Sequence, residues 1–412
     1  MPDTTFAALA DVVVLDLSRA LAGPHATMML ADLGATVIKV EHPDRGDDSR
    51  AYGPFIDSSI GAESLYFLAC NRNKLSIGLD LKDPVELQLV KRLVAKADVL
   101  VENFRPGVME RLGLGDVELR DLNPGLVVLS ITGFGHDGPE HTRTAYDQIA
   151  QGEAGLMSIT GEDSDHPQRV GVPIADLLAG MQGAFGLLAA LRERDRTGEG
   201  MVVRTSLLGA VIGIHAFQGT AWTVGGRVPE ASGNHHPTIA PYGLFGCADG
   251  YVQIACGNER IWQRFCGAVG LDPTAGRYAT NARRLANRDA LVAEIERVFT
   301  HYTRDELEAL LGAADVPAGR IRRIDEVYGW EQTRSQRLVA SMQHPRLGAI
   351  TVPANPLRFF RNERELELPG FDHAPDLDEH GKSIRSWAEG AGCGAPPSHH
   401  ALVLDPGDLD KP

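Results

Sequence analysis

Cysteine is scarce in this sequence, and its placement excludes two classes of small stapled domain. The five cysteines among 412 residues are scattered, and no two form a CxxC pair: Cys70, Cys247, Cys256, Cys266 and Cys393. A disulfide framework or a zinc knuckle needs paired, closely spaced cysteines. The sequence therefore predicts buried, reduced thiols and an ordinary hydrophobic core.

The sequence also has fewer basic than acidic residues, and it lacks long apolar runs. The formal net charge is -15, whereas non-specific nucleic-acid binding needs a basic surface. No run approaches the ~18 consecutive apolar residues of a membrane span, and the opening MPDTTFAALADVVV lacks the basic region of a signal peptide. We expect no nucleic-acid or membrane partner and a cytoplasmic location.

Several catalytic motifs are missing. The sequence holds no GxxxxGK[ST], GxSxG or HExxH, so kinase-like, hydrolase and zinc-protease chemistry lack their usual support. GFGHDG at 133–138 fits GxGxxG, but no helix opens directly after it, which favours a glycine-rich turn over an NAD site. The pairs His235-His236 and His399-His400 lack partners at ligand spacing, so we expect no metal site.

Strand and helix signals alternate over the first two hundred residues. The predicted strands are VVVLDL (12–17), ATVIKVE (35–41), SIGLDL (76–81), ADVLVEN (97–103) and LVVLSIT (126–132). Between them lie helical stretches, one of which is predicted to be capped by Asp83 and to begin at Pro84. Alternation of this kind predicts an α/β fold with a mostly parallel, Rossmann-like sheet covered by helices on both faces.

The pattern of the sequence changes near residue 216. GNHHPTIAPYGLF shows no clean period and is followed by the strand DGYVQIAC and several charged helices, while strand signals return at GAITVP (348–353). We predict a large domain over 1–215, a smaller α+β domain over 216–325, a return to the large domain over 326–385, and a disordered tail over 386–412 rich in Gly, Pro and His.

Basic and polar side chains cluster at the ends of the predicted strands. In a parallel sheet these ends meet at one edge, where such folds bind ligands. A ligand site and a set of solvated surface charges are equally compatible with this spacing. At or just beyond such ends lie Arg19, His42, Lys82, Asn103 and Arg105. Lys39 lies within the second predicted strand, Lys74 flanks the third, and Arg111 follows VEN.

One carboxylate, Asp176, lies in the apolar run RVGVPIADLLAGM. It precedes a long helical pattern, so the pattern alone favours a helix N-cap over a catalytic group. The apolar stretch before it and the glycines at 180, 183 and 186 are unusual for a routine cap. Helix amides would keep such a carboxylate ionised and positioned, and an ionised carboxylate can act as a nucleophile.

Seven segments, in order, strongly resemble the class III CoA-transferases of the formyl-CoA transferase type. The resemblance extends over about residues 11–385. The segments are VVVLDLSRALAGPHATMMLADLGATVIKVEHPDRGDDSR, NRNKLSIGLDLKDP, ADVLVENFRPGVMERLGLG, LNPGLVVLSITGFGHDGP, YDQIAQGEAGLMSITG, RVGVPIADLLAG and LRERDRTGEG.

The resemblance implies a fold and a mechanism. The fold is a Rossmann-like large domain built from both ends of the chain, with an inserted smaller domain, in an interlocked homodimer. The resemblance makes Asp176 the nucleophile that attacks an acyl-CoA, forming first an aspartyl anhydride and then an aspartyl-CoA thioester. CoA esters and carboxylic acids are then the substrates, with no permanently bound cofactor and no metal.

The resemblance also assigns binding roles. A flexible loop at Gly233-Asn234 would act as a lid that excludes water. The expected CoA contacts are Arg19, Ala22, His42, Leu79, Lys82, Asn103, Phe104, Arg105 and Arg111.

The exchanged acids are expected to be C4 to C6 dicarboxylates, with succinyl-CoA as donor. GDDSRAYGPF and GAESLYFLACNRNK look closer to the succinyl-CoA:glutarate branch than to the oxalate enzymes. A second carboxylate needs a cation, for which Arg50, Arg72 and Arg169 are candidates. The alternatives are an intramolecular mesaconyl-CoA transferase, a 2-methylacyl-CoA racemase and, more remotely, a CoA-binding protein without activity.

Overall fold

A computed structural model of the chain describes residues 6–58, 61–390 and 395–397. Cys393, the pair His399-His400 and most of the predicted tail lie outside these residues. Residues 386–389, which were expected to belong to a disordered tail, instead complete a helix that ends at Glu389.

Helices and strands alternate through most of the chain. The elements are β1 (Val13–Asp16), α1 (Ala22–Ala31), β2 (Thr36–Glu41), β3 (Phe55–Ser58), β4 (Gly61–Ser64), α2 (Leu65–Leu68), β5 (Lys74–Gly78), α3 (Pro84–Val94), β6 (Val99–Glu102), α4 (Val108–Arg111), α5 (Asp116–Leu122), β7 (Val127–Thr132), α6 (Asp147–Glu153), α7 (Ile174–Thr197), β8 (Val202–Ser206), α8 (Leu207–Ile212), α9 (Ala216–Thr223), β9 (Tyr242–Cys247), β10 (Gly250–Ala255), α10 (Glu259–Val269), α11 (Asn281–Ala286), α12 (Arg288–Phe299), α13 (Arg304–Ala313), β11 (Ala318–Arg320), α14 (Ile324–Gly329), α15 (Glu331–Ser335), β12 (Val339–His344), β13 (Gly348–Pro353), β14 (Phe359–Arg361), β15 (Arg364–Leu366) and α16 (Gly381–Glu389). Short 3-10 helices cover Asp48–Ala51 and Met157–Ile159.

The predicted parallel sheet is confirmed. Six strands lie in the order β5-β2-β1-β6-β7-β8, and every neighbouring pair is parallel. This is the doubly wound order in which the chain starts in the middle and builds outwards in both directions. The order reverses between β1 and β6, and the carboxyl ends of these two strands open a crevice where such sheets bind ligands.

Helices cover both faces of the sheet because side chains on a strand alternate in direction. Val14 points into a core with α1, α7 and α8, whereas Val13 and Leu15 point into a second core with α3, α5 and α16. The last helix, α16, therefore packs on a sheet whose strands come from the first half of the chain.

Local signals in the sequence explain several boundaries. Asp83 caps α3 as predicted, because its carboxylate accepts a hydrogen bond from the Val85 amide at 2.7 Å and Pro84 is the first helical residue. The turn at 133–138 opens no helix, as predicted, and Gly135 has a φ of +114° that favours glycine. The next helix begins only at Asp147.

The chain divides into two compact units. The first comprises the described residues of Met1–Leu156, Val170–Thr220 and Arg334–Pro412 and contains the six-stranded sheet. The second comprises Met157–Arg169 and Ala221–Thr333, whereas the sequence placed the smaller domain at 216–325. It holds the antiparallel sheet β11-β10-β9 around a core that includes Phe245, Phe265 and Phe299.

Helix α7 is long and apolar enough to cross a membrane by length and composition alone. Its Ala179, Leu187 and Leu191 are buried in the core shared with α1 and the sheet. Packing inside a domain accounts for the same composition.

Candidate active site

A cavity opens at the carboxyl ends of β1, β6 and β7 in the first unit, at the point where the strand order reverses. Its volume is about 160 Å³, below the ~300 to 1,000 Å³ of clefts that hold drug-sized ligands. The lining consists of Ala20, Leu21, Ala22, Tyr52, Tyr66, Asn103, Phe104, Arg105, Pro106, Ile131, Thr132, Gly133, Arg143, Thr144, Ala145, Tyr146, Asp176 and Leu207.

Asp176 lies in this cavity, but it is not the N-cap of α7. The helix begins at Ile174 after Pro173, so Asp176 is its third residue, and the predicted cap is wrong. The amides at the start of the helix are instead bound by Asp147 from α6. The Asp147 Oδ1 atom accepts from the amide of Ala175 at 2.8 Å and from that of Asp176 at 3.5 Å.

This arrangement contradicts the expectation that helix amides keep the Asp176 carboxylate ionised. Burial, followed by the negative charge of Asp147, raises the pKa of the Asp176 carboxyl to about 7. The Asp176 side chain makes no hydrogen bond or ion pair to any other described residue. Helix amides therefore do not hold the carboxylate ionised. It is a poorly solvated group, which favours reactivity towards an electrophile.

Three tyrosines line the same cavity. The rings of Tyr52 and Tyr66 meet edge to face, with centroids 5.5 Å apart. Burial, and next the charge of Asp176, raises the pKa of Tyr66, so its phenol remains protonated and can donate a hydrogen bond. Tyr146 immediately precedes α6, on which Asp147 is the first residue.

The turn after β1 forms one wall of the cavity and is fixed by two side chains. Ala20 has a φ of +62°, an uncommon conformation for a residue with a Cβ. Asp47 Oδ1 accepts from the Ala20 amide at 3.1 Å. Asn103 binds both the amide and the carbonyl of Arg19, each at 2.8 Å, which ties the ends of β1 and β6 together.

Buried lysines support this turn from behind. Lys39 pairs with Asp47 at 2.7 Å and donates to the Ser18 carbonyl at 3.0 Å. Lys74 pairs with Asp16 at 3.1 Å. Both lysine side chains are fully buried, so neither presents a charge to a ligand. Lys39 lies within β2 and Lys74 is the first residue of β5, and both support the turn.

The predicted CoA contacts separate into two groups. Ala22, Asn103, Phe104 and Arg105 line the cavity together, and the Arg19 guanidinium lies 5.3 Å from the centre of the Phe104 ring. The others lie outside the lining. His42, the residue after β2, is half-buried, and Leu79 is buried in the core shared with α3. Lys82 and Arg111 are exposed.

Two of the arginines predicted to bind a second carboxylate have structural partners. Arg50 binds Glu41 through two hydrogen bonds of 2.7 Å, and its guanidinium stacks 3.7 Å from the Phe67 ring centre. Arg72 is buried and binds Asp32 at 2.6 and 2.9 Å. These contacts argue against both as substrate ligands.

The remaining predicted site residues belong to the second unit. Arg169 is an exposed residue at the end of its first segment. Gly233 has a φ of +59°, and its amide donates to the Gly161 carbonyl at 3.0 Å. Asn234 is exposed.

Sequence reasoning missed Asp147, Arg143 and the three tyrosines. Their positions follow from packing between segments far apart in the chain, and no local spacing marks them. It also missed a hydrogen-bonded group beside the cavity, in which Glu102 is buried and Ser130 and His136 are half-buried. Ser130 donates to Glu102 and lies 2.7 Å from Nε2 of His136. Burial raises the pKa of Glu102 to about 7.

Candidate metal ligands are not grouped in the described chain. No three His, Cys, Asp or Glu side chains among its residues are arranged to hold a metal ion. His236 stacks on Tyr242, and its Nδ1 accepts from the Thr238 amide at 3.2 Å.

Comparisons with known proteins identify the family of the chain. The profile of CoA-transferase family III matches residues 9–381. The succinate–glutarate CoA-transferase of Agrobacterium fabrum is 38% identical over 92% of this chain and 96% of its own length. The acetyl-CoA:oxalate CoA-transferase of Acetobacter aceti is 37% identical over 91% of this chain and 94% of its own length.

A solved structure of a CAIB/BAIF family protein from Brucella suis superimposes with a TM-score of 0.81 at 39% identity and covers 92% of this chain and 98% of its own. The predicted family is thereby confirmed. The chain belongs to CoA-transferase family III and is a class III CoA-transferase.

Proposed function

We propose that the protein transfers CoA from succinyl-CoA to a C4 to C6 dicarboxylic acid, with Asp176 as the nucleophile. The observation that carries the proposal is the position of Asp176, a carboxylate without a partner among the described residues, in a small cavity at the switch point of the sheet. The acceptors named for the two relatives, glutarate and oxalate, are both dicarboxylic acids.

In the proposed reaction, Asp176 passes through four acyl exchanges. Its carboxylate oxygen attacks the thioester carbonyl, which forms an anhydride and releases CoA thiolate. The thiolate then attacks the aspartyl carbonyl, which releases the donor acid and leaves an aspartyl-CoA thioester. The acceptor carboxylate attacks that thioester, which forms a second anhydride and releases CoA thiolate again. The thiolate finally attacks the acceptor's acyl carbon in this anhydride, which forms the new CoA ester and regenerates the Asp176 carboxylate.

The surroundings of Asp176 suit these steps. A carboxylate in a poorly hydrated site is a stronger nucleophile than one in water, and few water molecules compete for the anhydride. The protonated phenol of Tyr66 can donate to the oxyanion that develops at an attacked carbonyl. The reaction requires only CoA esters and acids as reactants, so the proposal includes no bound metal or redox group.

A racemase reading is less well supported. Exchange of an α-proton uses paired acid and base groups. Asp176 is the one carboxylate of the described cavity lining, which holds no histidine. Deuterium uptake at the α-carbon of a 2-methylacyl-CoA, without any acceptor acid, would establish racemisation. The intramolecular alternative predicts isomerisation of mesaconyl-CoA alone.

The deciding experiment incubates the protein with succinyl-CoA and a panel of carboxylic acids and identifies new CoA esters by mass spectrometry. The proposal expects esters of C4 to C6 dicarboxylates, and the absence of any new ester contradicts it. Hydroxylamine trapping in the presence of succinyl-CoA should modify the peptide that contains Asp176. Modification of a different peptide would move the nucleophile elsewhere.

We also propose that the protein is a homodimer. An apolar stripe on α7 faces solvent in the single chain, with Met181 48%, Phe185 77% and Leu188 39% exposed. Ile212 and Ile214, which follow in the same unit, are 51% and 40% exposed. Exposed apolar stripes of this kind are typical of protein interfaces.

A further inference from the structure

The glycine-rich turn GFGHDG at 133–138, which opens no helix, folds back on the strand before it. The Gly135 amide donates to Oγ of Thr132 at 3.0 Å, and Nε2 of His136 lies 2.7 Å from Oγ of Ser130. Thr132 and Ser130 both belong to β7. The turn therefore brings the His136 ring to the carboxyl end of the sheet.

A hydrogen-bonded chain continues from this ring to the neighbouring strand. Ser130 lies directly opposite Glu102, the last residue of β6, and donates to Oε1 of its buried carboxyl group. Oε2 of the same group accepts from the Phe104 amide at 2.8 Å. The chain of His136, Ser130 and Glu102 thus ends on the backbone of the turn after β6.

That turn separates two cavities. One is the Asp176 cavity, and the other, of about 100 Å³, is lined by Glu102, Ser130 and His136. None of these three residues lines the Asp176 cavity. The wall between the cavities consists of the residues that line both, namely Phe104, Arg105, Pro106 and Thr132.

Both protonation states of Glu102 can keep the turn in place. Burial raises the pKa of Glu102 to about 7, and burial lowers the pKa of His136, which is therefore neutral at pH 7. The ionised carboxylate accepts from Ser130, whose Oγ then accepts from Nε2–H of His136. The protonated carboxyl group donates to Ser130, Ser130 donates to Nε2, and the added proton resides on Nδ1 of His136. In each state Oε2 accepts from the Phe104 amide.

The turn at residues 103–105 is fixed from two sides. Asn103 is tied to the turn after β1, and the Phe104 amide is bound by Glu102. A CoA ester must enter the Asp176 cavity to react, and the turn lines that cavity. A wall that is already ordered loses little conformational entropy when the ester binds.

We propose that Glu102 is a positioning residue, which with Ser130 and His136 holds the turn at residues 103–105 ready to bind the CoA ester. The inference rests on the proposed function and gives the GFGHDG turn a role in it. Loss of the bond to the turn weakens binding of the ester and leaves the chemical step at Asp176 nearly unchanged.

The test measures kcat and the KM for succinyl-CoA in three Glu102 and Ser130 variants. Glu102→Met fills the site but cannot accept from the Phe104 amide, so the KM should rise roughly 10-fold while kcat changes less than about 3-fold. Glu102→Gln keeps an oxygen for that amide and an NH₂ group for Ser130, and its KM should stay within about 3-fold of the wild type. Ser130→Ala removes only the support of the carboxyl group and should raise the KM about 3-fold.

The matched control is Asn123→Ala, at the opposite edge of the same sheet. The Asn123 side chain donates to the carbonyls of Val94 and Ala97, at 3.1 and 2.8 Å, so its loss destabilises the unit without touching the turn after β6. Both kinetic constants of the folded control should match the wild type. A KM raised as much in this control as in Glu102→Met would reduce Glu102 to a general stabiliser and overturn the inference.

Calorimetric titration of free CoA into the same variants needs no turnover. The absence of new CoA esters would therefore contradict the transferase proposal and leave the comparison of CoA affinities intact. Glu102→Met that binds CoA as tightly as the wild type overturns the inference, and so does Glu102→Gln as weak as Glu102→Met. Should Glu102→Met not fold, Ser130→Ala decides, because unchanged CoA affinity in that variant also contradicts the role of the hydrogen-bonded chain.

Discussion

Two carboxylates lie at the start of α7 and have opposite roles: Asp176 belongs to this helix, and Asp147 reaches it from α6. Asp147 binds the helix amides, so its negative charge is compensated by hydrogen bonds. The backbone amide of Asp176 takes part in one of those bonds, but its side-chain carboxylate receives no such compensation and is repelled by its neighbour. One carboxylate orders the helix and the other is left reactive.

Replacement of Asp176 by Asn tests both halves of this argument. The nucleophilic oxygen is lost, so CoA-ester formation should fall by at least ~1,000-fold. A carboxyl whose pKa rises from 3.8 to about 7 on folding lowers stability as pH increases between these values. Asn removes that loss. At pH 8 the free energy of unfolding of the variant should therefore exceed that of the wild type by roughly 2 to 4 kcal/mol, and the variant should unfold at a higher urea concentration.

At pH 4 the two proteins should have nearly equal stability, because Asp176 is then largely protonated in the folded state. Urea titrations at both pH values, read by circular dichroism, provide the measurement. An active Asn variant would show that Asp176 is not the nucleophile.

The pH dependence of the rate tests the coupling between the two carboxylates. Because Asp176 must be ionised to attack, kcat/KM should rise with pH through about 7. Asp147→Asn keeps an oxygen that can accept from the Ala175 amide but removes the charge that, after burial, raises the pKa of Asp176. The ascending limb should therefore move to lower pH. An unchanged limb would show that Asp147 does not perturb the nucleophile.

At the scale of elements, α1 and α7 lie unusually close where the cavity begins. A Cβ added at Gly180 of α7 would lie 2.5 Å from the backbone oxygen of Ala22, the first residue of α1. Backbone atoms cannot move aside as a flexible side chain can, so only glycine permits this approach. The contact sets the distance between the helix that carries Asp176 and the turn after β1.

Gly180→Ala should therefore destabilise the protein by about 1 to 3 kcal/mol, although alanine is the better helix former. The matched control is Gly267→Ala in α10, where an added Cβ meets no atom within 4 Å. That variant should gain about 0.5 to 1 kcal/mol. Thermal and urea unfolding measure both changes, and equal effects at the two sites would contradict the close-packing argument.

Strands and locally signalled boundaries could be predicted from the sequence because their determinants are adjacent in the chain. The β1, β2, β6 and β7 patterns and the Asp83 cap illustrate this. The cap of α7 could not be predicted, since Asp147 lies 29 residues before Asp176 in the sequence. The local sequence pattern therefore indicated Asp176, the nearest carboxylate in the chain, as the cap of the helix.

The charged residues show the same limit. Four basic residues were candidates for a ligand site in the sequence: Lys39, Lys74, Arg50 and Arg72. In the structure each is bound to a carboxylate that only the fold brings near. Burial of a charge without its partner is costly, so these pairs had to form together. Arg105 differs because it follows β6 on a turn that faces the cavity.

At the scale of the whole molecule, the single chain leaves apolar surface that a soluble monomer would normally cover. Met181, Phe185 and Leu188 repeat at helical spacing along one side of α7, opposite the side that packs on α1 and the sheet. The same helix carries Asp176, so an interface on α7 would stiffen the element that holds the proposed nucleophile. The formal net charge of -15 opposes non-specific association, which leaves a specific apolar contact as the expected mode.

The dimer proposal predicts a particle of about twice the chain mass of 44.4 kDa in light scattering after gel filtration. Phe185→Glu places a charge in the centre of the α7 stripe, where burial in an interface would desolvate it at a cost of several kcal/mol. That variant should shift towards the monomer on dilution. Val85→Glu, at a side chain 79% exposed on α3, should leave the mass unchanged. A wild-type protein that remains monomeric at high concentration, or a Phe185→Glu variant as dimeric as the wild type, would show that the stripe is not the interface.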